Sequence, residues 1–394
     1  MRFALTALPV FAFVFASSLM ACTVETSSTP NQNTSSSSSS SGSTPTAATL
    51  PFKASNVKLD GVDASKLGDV VIADANCSID TESKLISCID NDLVQYVVVE
   101  QPGAGKIGMY VAKSVRIEPN AGLRTKGTYA LAIVALDSFD VQGKIDASAQ
   151  TTYASAGGFV TTGSDVRGGG QGGGFEASAK NGAGGGSYCG MGGKGGAIAG
   201  GTPANPGATY GSASLIPLVG GSGGGAGVVG GGTGGGAVQL VAGKTFTLGA
   251  NALVTVGGGG GGFVGAASSQ HGGGGGSGGA ILIEAPAATI QGSLLANGGA
   301  GGAKESGMDA AVKIDGMRAT SDTLTNGSQG GEGSGNGDDN GSDATSTEGD
   351  NAPGGGGGAG RIRVNTTSGN SALSAKVLSP SANGPCTTEG TLAL

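Results

Sequence analysis

Glycine limits this chain more than any other residue: 83 of its 394 residues are Gly, many in runs such as GGGGGSGGAILIE at residues 272–284. A glycine run has no side chain to bury, and each Gly ordered in a strand costs about 0.5–1 kcal/mol relative to Ala. Five-glycine runs are therefore not ordinary strands. Two readings stand for them: disorder, or extended segments of polyproline-like geometry packed so closely that only Gly fits. Collagen is excluded, because the strict third-residue glycine period is absent. A glycine run beside an apolar alternation is also how a phosphate-binding turn looks, so the rest of the chain has to decide between chemistry and architecture.

The apolar segments between the runs repeat. KSVRIEP at 113, GAVQLVA at 236, GAILIEA at 279 and GRIRVNT at 360 each alternate apolar positions, as half-buried strands do. A second element follows several of them: VQGKIDASA from Val141, IQGSLLANG from Ile290 and, more loosely, TLGANALVTVGG from Thr247. The unit is strand, short turn, strand, Gly-centred bend, strand. One copy cannot bury its apolar face alone, but stacked copies can. The expected fold class is all-β, a repetitive β-solenoid and most simply a parallel β-helix, over residues 113–394, with long Gly-rich insertions at about 154–235 and 303–359 emerging from its corners. Residues 51–112 read as a smaller β-rich segment, with strand signals at Val57 and Leu59, Val70–Ile72 and LVQYVVV (Leu93–Val99).

The first residues carry a different message. MRF, the apolar run ALTALPVFAFVFASSLM and then AC form a charged start, an apolar stretch and a small residue before a cleavage point, the pattern of an export signal. Leu19, Met20, Ala21 and Cys22 resemble the lipobox of bacterial lipoproteins. That resemblance implies that residues 1–21 are removed, that Cys22 is lipidated and, with Thr23 rather than Asp after it, that the protein is anchored in the outer membrane; which face it occupies stays open. Residues 22–50, rich in Ser and Thr, have no apolar face to bury and read as a disordered tether.

Four further cysteines suit an exported, oxidising setting. Cys77 and Cys88 bracket SIDTESKLIS and are expected to close a hairpin by a disulfide; Cys189 and Cys386 are left to pair across the repeat. Zinc finds neither CxxC nor a nearby His. A formal net charge of -7, with no clustered Lys and Arg, argues against nucleic acid as a partner.

The candidate sites are thin. A P-loop read at Gly243, Lys244 and Thr245 would need Gly where Val238 stands, and no helix follows. A dinucleotide fingerprint matches glycine runs trivially and lacks its βαβ context. The acidic stretch at 330–351 misses the EF-hand spacing, with Thr347 at the twelfth position and Glu348 one residue late, and misses the RTX-like spacing, with Gly335 where Asp belongs; a solvated acidic loop is the plainer reading. His271, the single histidine, sits in a glycine run with no carboxylate placed beside it. Aligning the strand copies puts Arg116, Gln239, Leu282 and Arg363 in one outward column and Glu118, Val241, Glu284 and Asn365 in the next, with Glu118 and Glu284 as aligned carboxylates.

With lipobox, Ser/Thr tether and repetitive β passenger, the chain resembles bacterial glycine-rich surface lipoproteins, and in composition only it is similar to PE-PGRS proteins. The resemblance implies a membrane-anchored structural or adhesive surface protein without catalytic activity, cofactor or metal, whose partners are the membrane, through its lipid, and a cell-surface glycan or protein. The alternative is a carbohydrate-binding or polysaccharide-cleaving β-helix.

Overall fold

The computed structural model describes residues 45–150, 153–262, 271–303, 307–310, 313, 317–320, 329–346, 352–382 and 384–394, and Pro45–Leu394 form one compact unit. Cys22, the signal and residues 22–44 of the expected tether lie outside the described residues; residues 45–50 are not tether but part of the body, where Ala48 is buried and its N–H donates to the Val62 carbonyl at 3.0 Å. Apart from two short 3-10 turns, the regular structure there is strand.

The chain begins with β1 (Asp69–Ile72), β2 (Cys77–Asp80) and β3 (Gln95–Val99), then runs through four triplets. These are β4 (Ile107–Ala112), β5 (Ser114–Ile117) and β6 (Gly122–Lys126); β7 (Ala130–Ala135), β8 (Ser138–Val141) and β9 (Lys144–Asp146); β10 (Ala237–Ala242), β11 (Thr245–Leu248) and β12 (Leu253–Thr255); and β13 (Ala280–Glu284), β14 (Ala287–Ile290) and β15 (Ser293–Leu295). A last triplet, β16 (Arg361–Thr366), β17 (Ala372–Leu373) and β18 (Val377–Ser379), is followed by β19 (Thr387–Thr391).

Each triplet gives one strand to each of three sheets, in the orders β1-β5-β8-β11-β14-β17, β2-β6-β9-β12-β15-β18 and β3-β4-β7-β10-β13-β16-β19. All pairings are parallel except β3 with β4. This arrangement is compatible with a β-helix. The expected boundary at residues 112/113 falls in the turn between β4 and β5, and strands on both sides of it share the sheets.

The strand repeat follows from what stacks. Val115, Phe139, Phe246 and Ala288 are in register, as are Leu123, Ile145, Val254, Leu294 and Leu378, and Ile133, Leu240, Ile283 and Val364. Side chains from all three sheets meet in one core, in which the Phe139 and Phe246 rings sit edge to face at 5.6 Å. The Gly-centred bends are set by space. A Cβ at Gly143 would meet the Ala121 and Glu118 carbonyls of the neighbouring turn, and one at Gly292 would meet those of Ala252 and Gly249.

The alternation expected for GAILIEA is observed: Ile281 and Ile283 face this core and Leu282 faces away. The outward face, however, is not solvent. Leu282 is 0% and Glu284 1% exposed, because residues 48–67, with Phe52 and Val57, and a loop carrying Leu215 and Leu218 cover that side of the sheet. A parallel sheet buried on both faces needs apolar residues at nearly every position, as β4, β7 and β10 have.

Both cysteine pairs are disulfides. Cys77–Cys88 closes a hairpin in which Ser87 N–H donates to the Ser78 carbonyl at 2.9 Å. Cys189–Cys386 joins residues 197 apart, tying the insertion after β9 to the chain just before β19.

Candidate functional surface: a bundle of glycine segments

The insertions leave from one place. They connect β9 to β10, β12 to β13 and β15 to β16, so three successive triplets send an arm out and bring it back at the same corner. Their glycines, in the described stretches 182–186, 220–227, 230–236, 257–262, 272–279, 298–302 and 354–360, are mostly buried and outside the strands. They are the packed extended segments, the second of the two readings above.

Residues 272–279 lie at the centre and show the rule. Gly272, Gly275 and Gly278 donate to the carbonyls of Ala352, Gly355 and Gly358; Gly273, Gly276 and Gly279 to those of Gly262, Gly259 and Val256; Gly274 and Ser277 to those of Gly225 and Ser222. These bonds are 2.8–3.0 Å long. The carbonyls repeat the pattern: Gly272 and Gly275 accept from Ala183 and Gly186, Gly273 and Gly276 from Gly302 and Gly299, Gly274 and Ser277 from Gly232 and Gly235.

One segment thus has six neighbours, addressed in a three-residue period, which is the turn of a polyproline II helix. The same period governs residues 354–360, where Gly354, Gly357 and Gly360 donate to Gly302, Gly299 and Ala296 while Gly355 and Gly358 donate to Ala183 and Gly186. An isolated helix of this kind has no internal hydrogen bonds. Packed six around one, it pairs its backbone donors and acceptors with its neighbours, as burial demands.

Glycine is required here for room. None of the glycines in 272–279 has a left-handed φ. A Cβ on Gly276 would land on the Thr233 carbonyl, one on Gly357 on the Gly276 carbonyl and one on Gly274 on the Gly184 carbonyl, all inside 3.0 Å.

The remaining candidate residues resolve individually. Arg116 and Glu118 belong at β5, in a different sheet, and so fall out of the two outward columns, while Gln239, Leu282 and Arg363 and, beside them, Val241, Glu284 and Asn365 stand in register as expected. KSVRIEP forms the second strand of its triplet, whereas GAVQLVA forms the first; the counterparts of GAVQLVA are β4 and β7, which lack its flanking glycine. The observed columns run Ala132, Gln239, Leu282, Arg363 and Val134, Val241, Glu284, Asn365.

Glu118 is ion-paired with Arg116 at 2.8 Å. Glu284 is enclosed by donors: Ser55 N–H at 3.0 Å, Ser55 Oγ at 2.6 Å, Gln239 Nε2 at 2.7 Å and Asn365 Nδ2 at 3.0 Å. This carboxylate fastens residues 48–67 to the sheet. Sequence alternation missed it by taking the outward face for solvent, although apolar Leu282 on that face was a signal of cover.

Gly243 and Lys244 form the turn between β10 and β11, which Thr245 opens, with Lys244 Nζ 2.7 Å from Asp137. In the acidic stretch, Asp338 pairs with Arg318, Asn340 Oδ1 accepts from Met191 N–H at 2.9 Å and Asp343 Oδ1 from Lys194 N–H at 2.6 Å. Its polar groups thus dock on the segment after Cys189. Among the described residues no group of three or more His, Cys, Asp and Glu converges as a metal site. Burial holds His271 below its ordinary pKa, against the pull of Asp165, and raises the Asp339 carboxyl, with the Asp338 charge adding to the effect.

No protein-family model, curated protein or solved structure matches the chain.

Proposed function

We propose that this is a lipid-anchored structural or adhesive surface protein, in which the three sheets close into a β-helix that carries the glycine bundle as its display element. The bundle supports this reading. Its interior is spent on backbone packing, and its outer segments carry apolar side chains outward, among them Phe159, Val160, Val166 and Phe175. The shared core of all three sheets supports closure of the helix. Cys22 holds the lipid in the outer membrane and the Ser- and Thr-rich residues 22–44 space the body from it. Acyl chains contribute about 0.8 kcal/mol per buried methylene, so several hold a soluble body at a membrane.

Palmitate labelling and adhesion of intact producing cells to glycan- and protein-coated surfaces test the reading together. Wild type should be labelled and adhere, and Cys22→Ser should lose both. Unlabelled wild type in the soluble fraction would refute the anchor, and adhesion equal to that of non-producing cells would refute the display role.

A further inference from the structure

One partly exposed segment of the bundle bears prolines. TPANPGAT, residues 202–209, lies between two left-handed glycines, Gly200 at φ 72° and Gly211 at φ 75°. Between them burial recurs every third residue: Ala204 and Gly207 are buried, while Thr202, Pro203, Asn205, Ala208 and Thr209 are exposed and Pro206 is half-buried. That period is the polyproline II turn seen in the bundle's interior.

Hydrogen bonds fix the inner edge. The Ala204 carbonyl accepts from Gly195 N–H at 3.0 Å, Gly207 N–H donates to Gly185 at 3.2 Å, and the Gly207 carbonyl accepts from Ser187 Oγ at 2.6 Å, while the Asn205 carbonyl, on a second edge, accepts from Phe175 N–H at 3.0 Å. A Cβ at Gly207 would strike the Gly172 carbonyl, so this edge sits hard against its neighbours. Pro203 and Pro206, three residues apart, share a different edge, turned outward. Their carbonyls accept no hydrogen bond among the described residues.

We propose that this Pro203–Pro206 ridge is a docking site for a protein that reads polyproline geometry through an aromatic-lined groove. Such grooves seat two prolines at this spacing and gain affinity from a ligand already in the helix; the carbonyls of Ala204 and Asn205 between the prolines are taken by the bundle, and those of Pro203 and Pro206 on the outer edge are the ones left for a donor of the groove. Free peptides must be ordered on binding; here the bundle holds the helix beforehand, which removes that entropy cost. The inference goes beyond the display reading and does not need the anchor, only access to the ridge from solvent.

The chain has no Trp, so tryptophan fluorescence reports on the partner alone. Full-length protein is titrated into one SH3-type and one WW-type module, each with a tryptophan in its groove. The expected result is a saturable change with at least one module, weakened at least tenfold by Pro203→Ala with Pro206→Ala and unaltered by Tyr153→Ala, an exposed aromatic elsewhere. Circular dichroism and intact disulfides establish that each variant is folded. No change with either module at millimolar protein, an equal response from the proline variant, or an equal loss in Tyr153→Ala would overturn the proposal.

Discussion

Replacing Gly276 by Ala measures how far the bundle depends on the missing Cβ. The added carbon meets the Thr233 carbonyl oxygen and carbon and the Gly232 oxygen, all backbone atoms that cannot swing aside. Overpacking of this kind costs about 1–3 kcal/mol. Gly276 also donates to Gly259 at 2.8 Å and accepts from Gly299 at 2.9 Å, and displacing the segment weakens both bonds, each worth about 0.5–1.5 kcal/mol. Against this, Ala at a compatible φ stabilises by about 0.4–1 kcal/mol through the unfolded chain. The net expectation is a loss of about 2–4 kcal/mol. Gly105 supplies the contrast, being exposed, with nothing within 4 Å of its Cβ position and no left-handed φ; there Gly→Ala should be neutral or stabilising by up to about 1 kcal/mol. Urea unfolding of full-length protein followed by circular dichroism reads both from shifts in midpoint at constant slope. If Gly276→Ala lies within about 0.5 kcal/mol of wild type, glycine is not there for space and the packing argument is wrong.

Glu284→Ala strips the acceptor from Ser55, Gln239 and Asn365 and should cost about 1–3 kcal/mol in the same assay, approaching the roughly 2–5 kcal/mol of Ile281→Ala in the core; a change under 0.5 kcal/mol would show that the carboxylate does not hold the covering segment. On a chain-entropy argument the long Cys189–Cys386 loop contributes about 5 kcal/mol and the short Cys77–Cys88 loop about 3 kcal/mol, so Cys189→Ser with Cys386→Ser should lower stability more than Cys77→Ser with Cys88→Ser. Non-reducing peptide mapping finding free thiols would remove the basis of that ranking. The imidazole of His271, the single histidine, should titrate by NMR below 6.5; because its folded pKa is depressed, its contribution to stability is present above the unfolded value and lost as pH falls through the folded one. A midpoint at or above 6.5 would contradict its burial.

What sequence could reveal here depended on which force placed each residue. The strand triplets were legible because Ile281, Ile283, Leu240 and Val364 obey a period of two set by one core, and the bends because Gly143 and Gly292 recur at fixed offsets. The Cys77–Cys88 pair was legible from spacing alone. The columns were legible for Gln239, Leu282 and Arg363 but not for Arg116 and Glu118, because KSVRIEP and GAVQLVA look alike as alternations while occupying different sides of the triplet. Glu284 was misplaced because its cover, Phe52 and Ser55, is more than two hundred residues away in the chain. The glycine runs had the composition for close packing, but their six-neighbour order is carried by backbone atoms, and no side-chain pattern announces which segment lies beside which.

The three-residue turn places strict limits on how such a protein can vary in length. Deleting one residue from an arm rotates everything beyond it by about 120°, so that each donor aimed at one neighbour would face another; deleting three keeps the facing and shortens the arm by about 9 Å. Each arm also returns to the corner it left, so a change on the outgoing segment has to be matched on the incoming one. Lineages of this chain should therefore differ by multiples of three residues in the packed glycine stretches and by any number at the outer turns. Length polymorphism read from related genomes would display the bundle's geometry without a single coordinate.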